Sequence, residues 1–187
     1  MTPCFVSAGE MRRLEEQAIA GGVPEESLMD AAAAGIARVI RQFLPEPGAM
    51  VIVAGKGHNA GDAFALVPAL RAAGWTVEAR LAWPREEMRP LTRRKFEAAE
   101  AAGIAVQPLE ADNVPAGRPL LLVDAILGTG ASGGLRGRAL DACRAINRLR
   151  NRHHAVTLAV DVPSGIEAGD EPDPETVVAD ITATIGY

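Results

Sequence analysis

The sequence predicts an α/β protein, a three-layer αβα sandwich built on a doubly wound and mostly parallel β-sheet. Short apolar runs alternate with amphipathic helical stretches along the chain, which is typical of repeated β/α units. The runs VIVA (51–54) and LLLVDAIL (120–127) are apolar on both faces, as is expected of strands that helices cover on both sides. No linker interrupts this pattern, so residues 1–187 are interpreted as a single domain.

Two helices are predicted at the start of the chain. Ser7 and Glu10 have the spacing of a capping box, which begins a helix that runs to the glycine pair at 21–22. A second helix begins near Glu25, and the prolines at 45 and 47 end it. Its spacing places the following residues on one apolar face: Leu28, Met29, Ala32, Ile36, Val39 and Ile40.

The remaining elements alternate between strand and helix. Strands are predicted at 49–54, 76–82, 105–109, 119–127, 155–162 and 179–186. Helices are predicted at 62–73, at about 88–102 and at 138–149. Pro68 lies inside the first of these helices and should kink it or shorten its start, because proline cannot donate the helical hydrogen bond.

Composition and charge exclude several classes of protein. The chain is 48% hydrophobic and 23% charged, with a net charge of −5, and its one basic concentration, at 89–95, has acidic neighbours. Nucleic acid is therefore disfavoured as a partner. Cys4 and Cys143 are too few for a disulfide framework and fit a reducing compartment. With no signal-peptide pattern and no membrane-length apolar run, we expect a cytoplasmic protein without a membrane partner.

Three of the predicted strands end in loops of unusual composition. They combine glycine or proline turns with small polar or acidic residues: GKGHNAGD (55–62), GTGASGGLRG (128–137) with Asp124 before it, and DVPSG (161–165). In an open parallel sheet, ligands bind beyond the carboxyl ends of the strands. We therefore expect these three loops to form one site.

Neither glycine loop indicates an ordinary dehydrogenase. The glycines of the first loop are spaced G-x-G-x-x-x-G, and the next strand ends in Leu81-Ala82-Trp83 without the carboxylate that would hold a ribose. The Gly-Lys-Ser/Thr ending of a nucleoside triphosphate loop is also absent. The segment 128–133 does match G-x-G-x-x-G, but a glycine turn that serves only packing gives the same pattern.

Considered together, the order and spacing of these segments resemble the YjeF N-terminal-domain family, the NAD(P)H-hydrate epimerases, over nearly the whole chain. LMDAA (28–32) resembles the Leu-Met-Glu-x-Ala segment of the family's second helix. GKGHNAGDA (55–63) stands where the family usually has G-x-G-N-N-G-G-D-G. VDAILGTGASGGLRG (123–137) and VDVPSGIEAGD (160–170) match two further signatures, and ADITATIG (179–186) resembles the strand after them.

This resemblance implies a Rossmann-like fold and an isomerase that interconverts the R and S forms of hydrated NADH and NADPH, a cofactor-repair reaction. It also implies a homodimer and an NAD(P)H-hydrate dehydratase as a fused or separate partner. Potassium is the implied cofactor, with Asn59, Asp124 and Ser164 as its ligands. The implied substrate contacts are His58, Asn59, Ala60, Gly61, Asp62, Gly128, Thr129, Gly130, Ala131, Ser132, Gly133, Gly134 and Asp161.

The implied chemistry suits these residue types. Acid-assisted loss of hydroxide from ring carbon 6, driven by the ring nitrogen lone pair, gives an iminium, and water then returns to the other face. A carboxyl group that donates and accepts a proton is needed; Asp161 is the first candidate for this catalytic role and Asp62 the second. Amide, carboxylate and hydroxyl oxygens are suitable ligands for a hard cation such as potassium.

Structural roles remain open for the same residues. Asp161 before Val-Pro-Ser-Gly is suited to an Asx-turn, and the Asp124 side chain is suited to capping or stabilising its own turn without a metal ion. Asn59 suits a left-handed turn conformation, and Asp62 suits a helix N-cap. His58 is interpreted as a loop residue rather than a general base.

Three substitutions distinguish the first loop from the family pattern. His58 stands where Asn is usual, and Ala60 and Ala63 stand where Gly is usual. The added methyl groups are expected to narrow the loop, and alanine adopts positive φ less readily than glycine. A non-catalytic binding or dimerisation module of the same fold is therefore the alternative hypothesis. A nucleotide-dependent oxidoreductase is a weaker one, because the ribose carboxylate is missing.

Overall fold

A computed structural model of the chain describes residues 7–131, 133–166 and 173–185. Its helices are Ala8–Ala20 (α1), Glu25–Phe43 (α2), His58–Ala65 (α3), Val67–Ala72 (α4), Pro90–Ala101 (α5) and Gly137–His153 (α6). Its strands are Ala49–Ala54 (β1), Thr76–Leu81 (β2), Ala105–Gln107 (β3), Leu120–Ala125 (β4), Val156–Val160 (β5) and Ile181–Ala183 (β6). A 3₁₀ turn at Arg85–Glu87 precedes α5.

The six strands form one sheet in the order β3-β2-β1-β4-β5-β6. All five strand pairings are parallel, which confirms the doubly wound sheet. The chain builds outward from β1 to β3 and then returns to place β4 on the other side of β1. The order therefore reverses between β1 and β4, and such a reversal opens a crevice at the carboxyl ends of the two strands.

Helices cover both faces of the sheet unequally. Met50, Ile52 and Ala54 of β1 face a core cluster that includes buried residues of α2 through α5. Ala49 and Val51 of the same strand face a second cluster, whose helical members come from α6. The strict alternation along one fully buried strand explains its unbroken apolar run, since successive side chains enter opposite cores. The three-layer sandwich is confirmed.

Local signals predicted most helix boundaries. The Ser7 side chain accepts a hydrogen bond from Glu10 N, and the Glu10 carboxylate accepts one from Ser7 N at 2.8 Å, so the predicted capping box is confirmed. The predicted effect of Pro68 is also confirmed, because α3 and α4 meet at Leu66 and the proline lies in the first turn of α4. The buried face of α2 differs slightly from the predicted one and consists of Met29, Ala33, Ile36, Ala37 and Ile40.

Several predicted boundaries were wrong by a few residues. The fourth strand ends at Ala125 instead of 127, because Ile126 N donates to the Asp124 carboxylate in a local turn. The fifth strand ends at Val160, because Asp161 has φ 68° and cannot continue an extended strand. Predicted residue 186 of the last strand lies outside the described residues. The helix after β1 begins at His58, four residues earlier than predicted, and α6 continues to His153.

Helix α1 differs from the others in how little of it is buried. Leu14 and Ile19 retain 44% and 43% of their surface. Glu15, by contrast, is half-buried. Hydrophobic packing therefore contributes little to the position of α1. Nowhere in the described ranges does a helix have both the length and the apolar content needed to cross a membrane.

Candidate active site at the carboxyl edge of the sheet

The three loops predicted to form one site do meet at the carboxyl edge of the sheet. Asn59 lies in the first turn of α3 after β1, and Asp124 lies near the end of β4. Asp161 and Ser164 follow β5, the neighbour of β4. The site therefore spans the reversal point between β1 and β4, where open α/β sheets bind their ligands.

Asp124 and Ser164 join the second loop to the third. Asp124 Oδ2 accepts a hydrogen bond from Ser164 N at 2.7 Å, and Asp124 Oδ1 accepts one from Ser164 Oγ at 2.6 Å. Asp124 is fully buried and Ser164 is 1% exposed. Burial raises the pKa of Asp124 to about 6, while hydrogen bonds from Ser164 and Ile126 act in the opposite direction. The Asp124 carboxyl group thus stabilises its own turn by accepting hydrogen bonds, and it is also a buried acid.

The carbonyl oxygen of Leu127 connects this pair to the first loop. Asn59 Nδ2 donates to it at 2.8 Å, and Ser164 Oγ lies 3.2 Å from it. Leu127 N in turn donates to Ser164 Oγ at 2.9 Å. Asn59 and Ser164, two of the three predicted potassium ligands, therefore contact the same backbone group, and Asp124 is connected to it through Ser164. Sequence reasoning missed the Leu127 carbonyl, and no sequence signal marks a backbone group.

The donor set of this cluster fits a monovalent hard cation. It consists of an amide, one carboxylate, a hydroxyl and a backbone carbonyl, all of which are oxygen donors. Because Asn59 Nδ2 faces Leu127 O, the amide Oδ1 is the atom that would serve as a ligand. Among the described residues, no group of three or more His, Cys, Asp and Glu side chains is arranged to hold a metal ion. A cation here would thus have one carboxylate as its anionic ligand.

Asp161 is held in a strained conformation. Its φ is 68°, and Val162 N donates to Val160 O at 2.9 Å, which makes Asp161 the central residue of a γ-turn of the uncommon positive-φ type. Its Oδ2 accepts a hydrogen bond from Thr129 N at 2.9 Å. A backbone turn of this kind costs roughly 1–3 kcal/mol and is concentrated at functional sites. The carboxylate is thereby directed at the glycine loop, so a local Asx-turn does not account for it.

Gly128 lies between two of the candidate residues. A Cβ at this position would approach Asp161 Oδ2 to 3.0 Å and the Asn59 side chain to about 3.5 Å. A side chain here would therefore crowd Asp161 and Asn59. The requirement for glycine at 128 is steric, whereas Gly133 and Gly134 have φ values of 93° and 69° that favour glycine for backbone reasons.

Asp62 is the second buried carboxyl group of the site. It is 9% exposed, and burial raises its pKa to about 8, with smaller contributions from the negative charges of Asp161 and Glu15. Among the described residues, no hydrogen-bond donor contacts its carboxyl group. It lies in the middle of α3 rather than at the helix start, where Gly57 is the N-cap, so the predicted alternative of an N-cap was wrong. Asp62 retains a proton at neutral pH.

The substitutions at 60 and 63 do not narrow the loop as expected. Both alanines lie within α3 and are fully buried in the core cluster shared with α2 and α5. Helical backbone has negative φ, so no left-handed conformation is required there. Gly61 also faces a neighbouring helix, since a Cβ would lie 2.5 Å from Met29 Cε. A substrate contact from Ala60 or Gly61 would thus come from the backbone.

The short connection between β1 and α3 contacts neighbouring segments at both of its ends. A Cβ at Gly55 would lie 2.0 Å from the Ile126 carbonyl oxygen, so only glycine fits there. On the other side, Thr92 Oγ1 donates to Gly57 O at 3.0 Å. His58, which is 43% exposed at its side chain, lies 3.3 Å from both Glu25 and Arg89. His58 therefore belongs to a charged cluster at the rim and does not reach the buried carboxyl groups by a hydrogen bond.

The glycine loop borders a cavity that the carboxyl groups of the site do not line. Gly128, Ala131, Gly134 and the segment 162–166 are among the residues that line this cavity of about 240 Å³. Thr129, Gly130 and Gly133 are exposed on the same loop. Ser132, a predicted substrate contact, lies outside the described residues. The cavity is smaller than a usual ligand pocket, so it has room for part of a dinucleotide.

Two charged residues of α1 also reach the site, and the sequence pattern did not predict them. Burial and the negative charge of Asp161 raise the pKa of Glu15, while electrostatic interactions with His58 and Arg12 lower it. Arg12 Nη2 lies 3.5 Å from the position that a Cβ would take on Gly130. Only the tertiary arrangement brings α1 to these loops, because the helix itself shows an ordinary mixture of charges.

Comparison with known proteins gives one consistent result. The profile of the family described as YjeF-related protein N-terminus matches residues 25–187. The chain is 35% identical to the NAD(P)H-hydrate epimerase of Rhodopirellula baltica and 34% identical to that of Clavibacter sepedonicus, over 87% and 96% of its length. It is 33% identical to the bifunctional NAD(P)H-hydrate repair enzyme Nnr of Methanopyrus kandleri.

The extent of these matches differs between relatives. The chain spans 66% of the Rhodopirellula protein and 79% of the Clavibacter protein, but 37% of the bifunctional enzyme. Among solved structures, the crystal structure of the yeast protein YNL200c superposes with a TM-score of 0.81 at 18% identity. That match covers 96% of this chain and 79% of the yeast protein. At this identity it supports the fold alone.

Proposed function

Because the chain belongs to the family of YjeF-related N-terminal domains, we propose that it is an epimerase that interconverts the R and S forms of hydrated NADH and NADPH. The observation that supports this most directly is the electrostatic interaction of the buried Asp62 with Asp161, whose carboxylate is bound to the glycine loop. One carboxyl group is protonated at neutral pH, because burial raises its pKa to about 8. The other is fixed by Thr129 N. Acid and base functions are thereby separated between two neighbouring groups.

The reaction proceeds through loss and return of water at ring carbon 6. The Asp62 carboxyl group donates its proton to the departing hydroxyl group as the C–O bond breaks, and the ring nitrogen lone pair forms the iminium. Water then adds to the opposite face and transfers a proton to the Asp161 carboxylate. Proton exchange through solvent returns Asp62 to its acid form and Asp161 to its ionised form, so the cycle consumes nothing.

The same carboxyl groups stabilise the intermediate electrostatically. The iminium is a cation, and once Asp62 has donated its proton both carboxyl groups are negative. Opposite charge in a water-poor site lowers the free energy of a charged intermediate more than it would in water. The strained γ-turn at Asp161 contributes by directing its carboxylate toward Gly128.

We further propose a potassium ion held by Asn59, Asp124 and Ser164. When bound, the ion would supply positive charge beside the glycine loop and would connect the three loops. The all-oxygen donor set around Leu127 O supports this assignment. The retention of this cluster, together with Asp62 and Asp161, favours the enzyme over a non-catalytic module.

The proposal extends to partners and location. The bifunctional relatives suggest that an NAD(P)H-hydrate dehydratase, fused or separate, acts on the same damaged cofactor.

We propose a homodimer, to which the exposed Ile19, Val23 and Phe43 would contribute apolar surface. We also propose a cytoplasmic location, because Cys143 is a free, fully buried thiol and the chain has too few cysteines for a disulfide framework.

One assay tests the function. R-to-S conversion of hydrated NADH is followed by chromatography with the full chain in potassium, in sodium and in tetramethylammonium buffers. We expect acceleration over the spontaneous rate, and more of it in potassium. Thermal unfolding in the same three buffers provides a readout without turnover, because an ion that binds only the folded state raises Tm. A folded sample that leaves the spontaneous rate unchanged in all three buffers would refute the enzyme.

A further inference from the structure

Two guanidinium groups flank the glycine loop from different parts of the chain. Arg136, the N-cap residue of α6, places Nη2 3.3 Å from the position of a Cβ on Gly133. Arg12, from α1, places Nη2 3.5 Å from the equivalent position on Gly130. Because the loop has no side chains at these two positions, a ligand can contact backbone N–H groups and both cations at once.

Within the described part of the chain, neither guanidinium group forms a close pair with a carboxylate. Among the described residues, Arg12 and Arg136 form no ion pair, whereas Arg138, two residues further along, pairs with Glu87 at 3.1 Å. Glu15 is one helical turn from Arg12 and interacts with it electrostatically, but the two form no close pair. As far as the described residues go, both arginines can therefore bind an external anion.

The charges of the site are segregated. Asp62, Asp161 and Glu15 are carboxyl groups that interact electrostatically with one another. Arg12 and Arg136 lie against Gly130 and Gly133 of the glycine loop. A hydrated dinucleotide has the complementary distribution, because its ring becomes cationic during the reaction and its diphosphate is anionic. The arrangement thus selects one orientation of the substrate.

Helix α1 lies beside the glycine loop although little hydrophobic packing holds it there. Leu14 and Ile19 leave a large share of their apolar surface exposed, so little hydrophobic burial holds the helix where it is. We propose that α1 forms a wall of the substrate site, and that Arg12 binds a phosphate group of the dinucleotide opposite Arg136. This assignment rests on the proposed function for the identity of the ligand.

The test measures binding without turnover. ADP-ribose and 2′-phospho-ADP-ribose contain the phosphate groups of the two substrates and lack the reacting ring. Each is titrated calorimetrically into the full chain and into the variants Arg12→Ala and Arg12→Lys. Arg13→Ala is the matched control, because Arg13 is the exposed neighbour of Arg12 on the same helix. Thermal unfolding of each variant establishes that it is folded.

We expect Arg12→Ala to weaken binding of ADP-ribose about tenfold, as removal of a charged hydrogen bond to phosphate usually does. Arg12→Lys should retain part of the affinity through its charge, and the loss should shrink in 0.5 M salt. An effect confined to the 2′-phosphorylated ligand would assign Arg12 to that phosphate and would still support the contact.

Equal affinities of Arg12→Ala and Arg13→Ala for both ligands would overturn the proposal, as would a wild-type chain that binds neither ligand. Epimerase assays of the same samples separate this proposal from the function itself. If Arg12 contacts phosphate equally in the ground and transition states, Arg12→Ala raises KM and leaves kcat nearly unchanged. A chain that binds ADP-ribose through Arg12 but shows no epimerisation would refute the function and keep the phosphate contact.

Discussion

Asp124 and Asp62 are both buried carboxyl groups at the same edge of the sheet, yet their surroundings differ. Asp124 is completely buried and has a pKa of about 6, whereas Asp62 is 9% exposed and has a pKa of about 8. The more deeply buried group is thus the less perturbed one. Ser164 and Ile126 donate hydrogen bonds to Asp124 and partly offset its desolvation. Asp62 has no such donors among the described residues and faces the negative charges of Asp161 and Glu15 instead.

The two carboxyl groups illustrate two roles of a buried acid, one in stability and one in proton transfer. A carboxylate that accepts several hydrogen bonds contributes to stability, because its donors would otherwise be buried without partners. A carboxyl group without donors destabilises its charged form and therefore holds a proton that it can transfer. On this basis Asp124 connects the loops, and Asp62 is suited to proton transfer.

The largest expected effect is on catalysis. Asp62→Asn and Asp161→Asn should each lower kcat for epimerisation by about 10²–10⁴-fold, which is the usual contribution of general acid–base catalysis. Asp62→Asn should leave the free energy of unfolding unchanged or raise it, because it removes a carboxyl group that has no hydrogen-bond donor. Rates from the chromatographic assay and urea unfolding curves of the same samples test both statements. Full turnover by Asp161→Asn would remove that residue from the acid–base role.

Asp124→Ala is expected to have the next largest effect, this time on stability. The substitution leaves Ser164 N and Ile126 N without their acceptor in a buried region, which should lower the free energy of unfolding by about 3 kcal/mol. Asp141→Ala is the matched control, since Asp141 is exposed on α6 and its removal should cost less than about 0.5 kcal/mol. Comparable urea midpoints for the two variants would contradict the structural role of Asp124.

The smallest expected effect is a pH dependence of stability caused by Asp62. Its pKa is about 8 in the folded chain and about 3.9 in an unfolded chain. Between these values the folded state holds one more proton than the unfolded state, so stability falls as pH rises and levels off above pH 8. Asp124 titrates near pH 6, so the unfolding free energies of the wild-type chain and of Asp62→Asn should be compared at each pH.

Over the interval from pH 6 to 8, the wild-type chain should lose about 2 kcal/mol of stability relative to Asp62→Asn. The variant has no carboxyl group at this position and serves as the reference for all other titrations. A difference between the two chains that stays constant from pH 6 to 8 would show that Asp62 is ionised throughout the range.

Much of the fold was predictable because its signals are local. Apolar runs placed the buried strands, and the capping box at Ser7 placed the start of α1. Strand ends were less predictable, since they depend on single conformations. Asp161 ends β5 by adopting positive φ, and the Asp124 side chain ends β4 by accepting a hydrogen bond from its own turn. Neither event changes the apolar pattern from which strands are predicted.

Expectations about the first loop differed most from the structure. Ala60 and Ala63 were expected to crowd a glycine-rich turn, but α3 begins at His58, and both methyl groups pack into the core. The reason is that the glycines at 55 and 57 complete the turn before the helix begins. Glycine spacing indicates that a turn is present, whereas the point at which the helix starts depends on packing against α2 and α5.

By itself, the sequence determined the αβα architecture, the three loops at one sheet edge and the residue types available for chemistry, because periodicity and turn residues act over short distances. Tertiary structure alone decided that the pKa of Asp62 is raised more than that of Asp124, since desolvation and hydrogen bonding depend on residues far apart in the chain. It also decided that Leu127 O contacts Asn59 and Ser164, two of the predicted potassium ligands. Finally, it brought Arg12 of α1 to Gly130, over 100 residues away in sequence, a contact that no local pattern encodes.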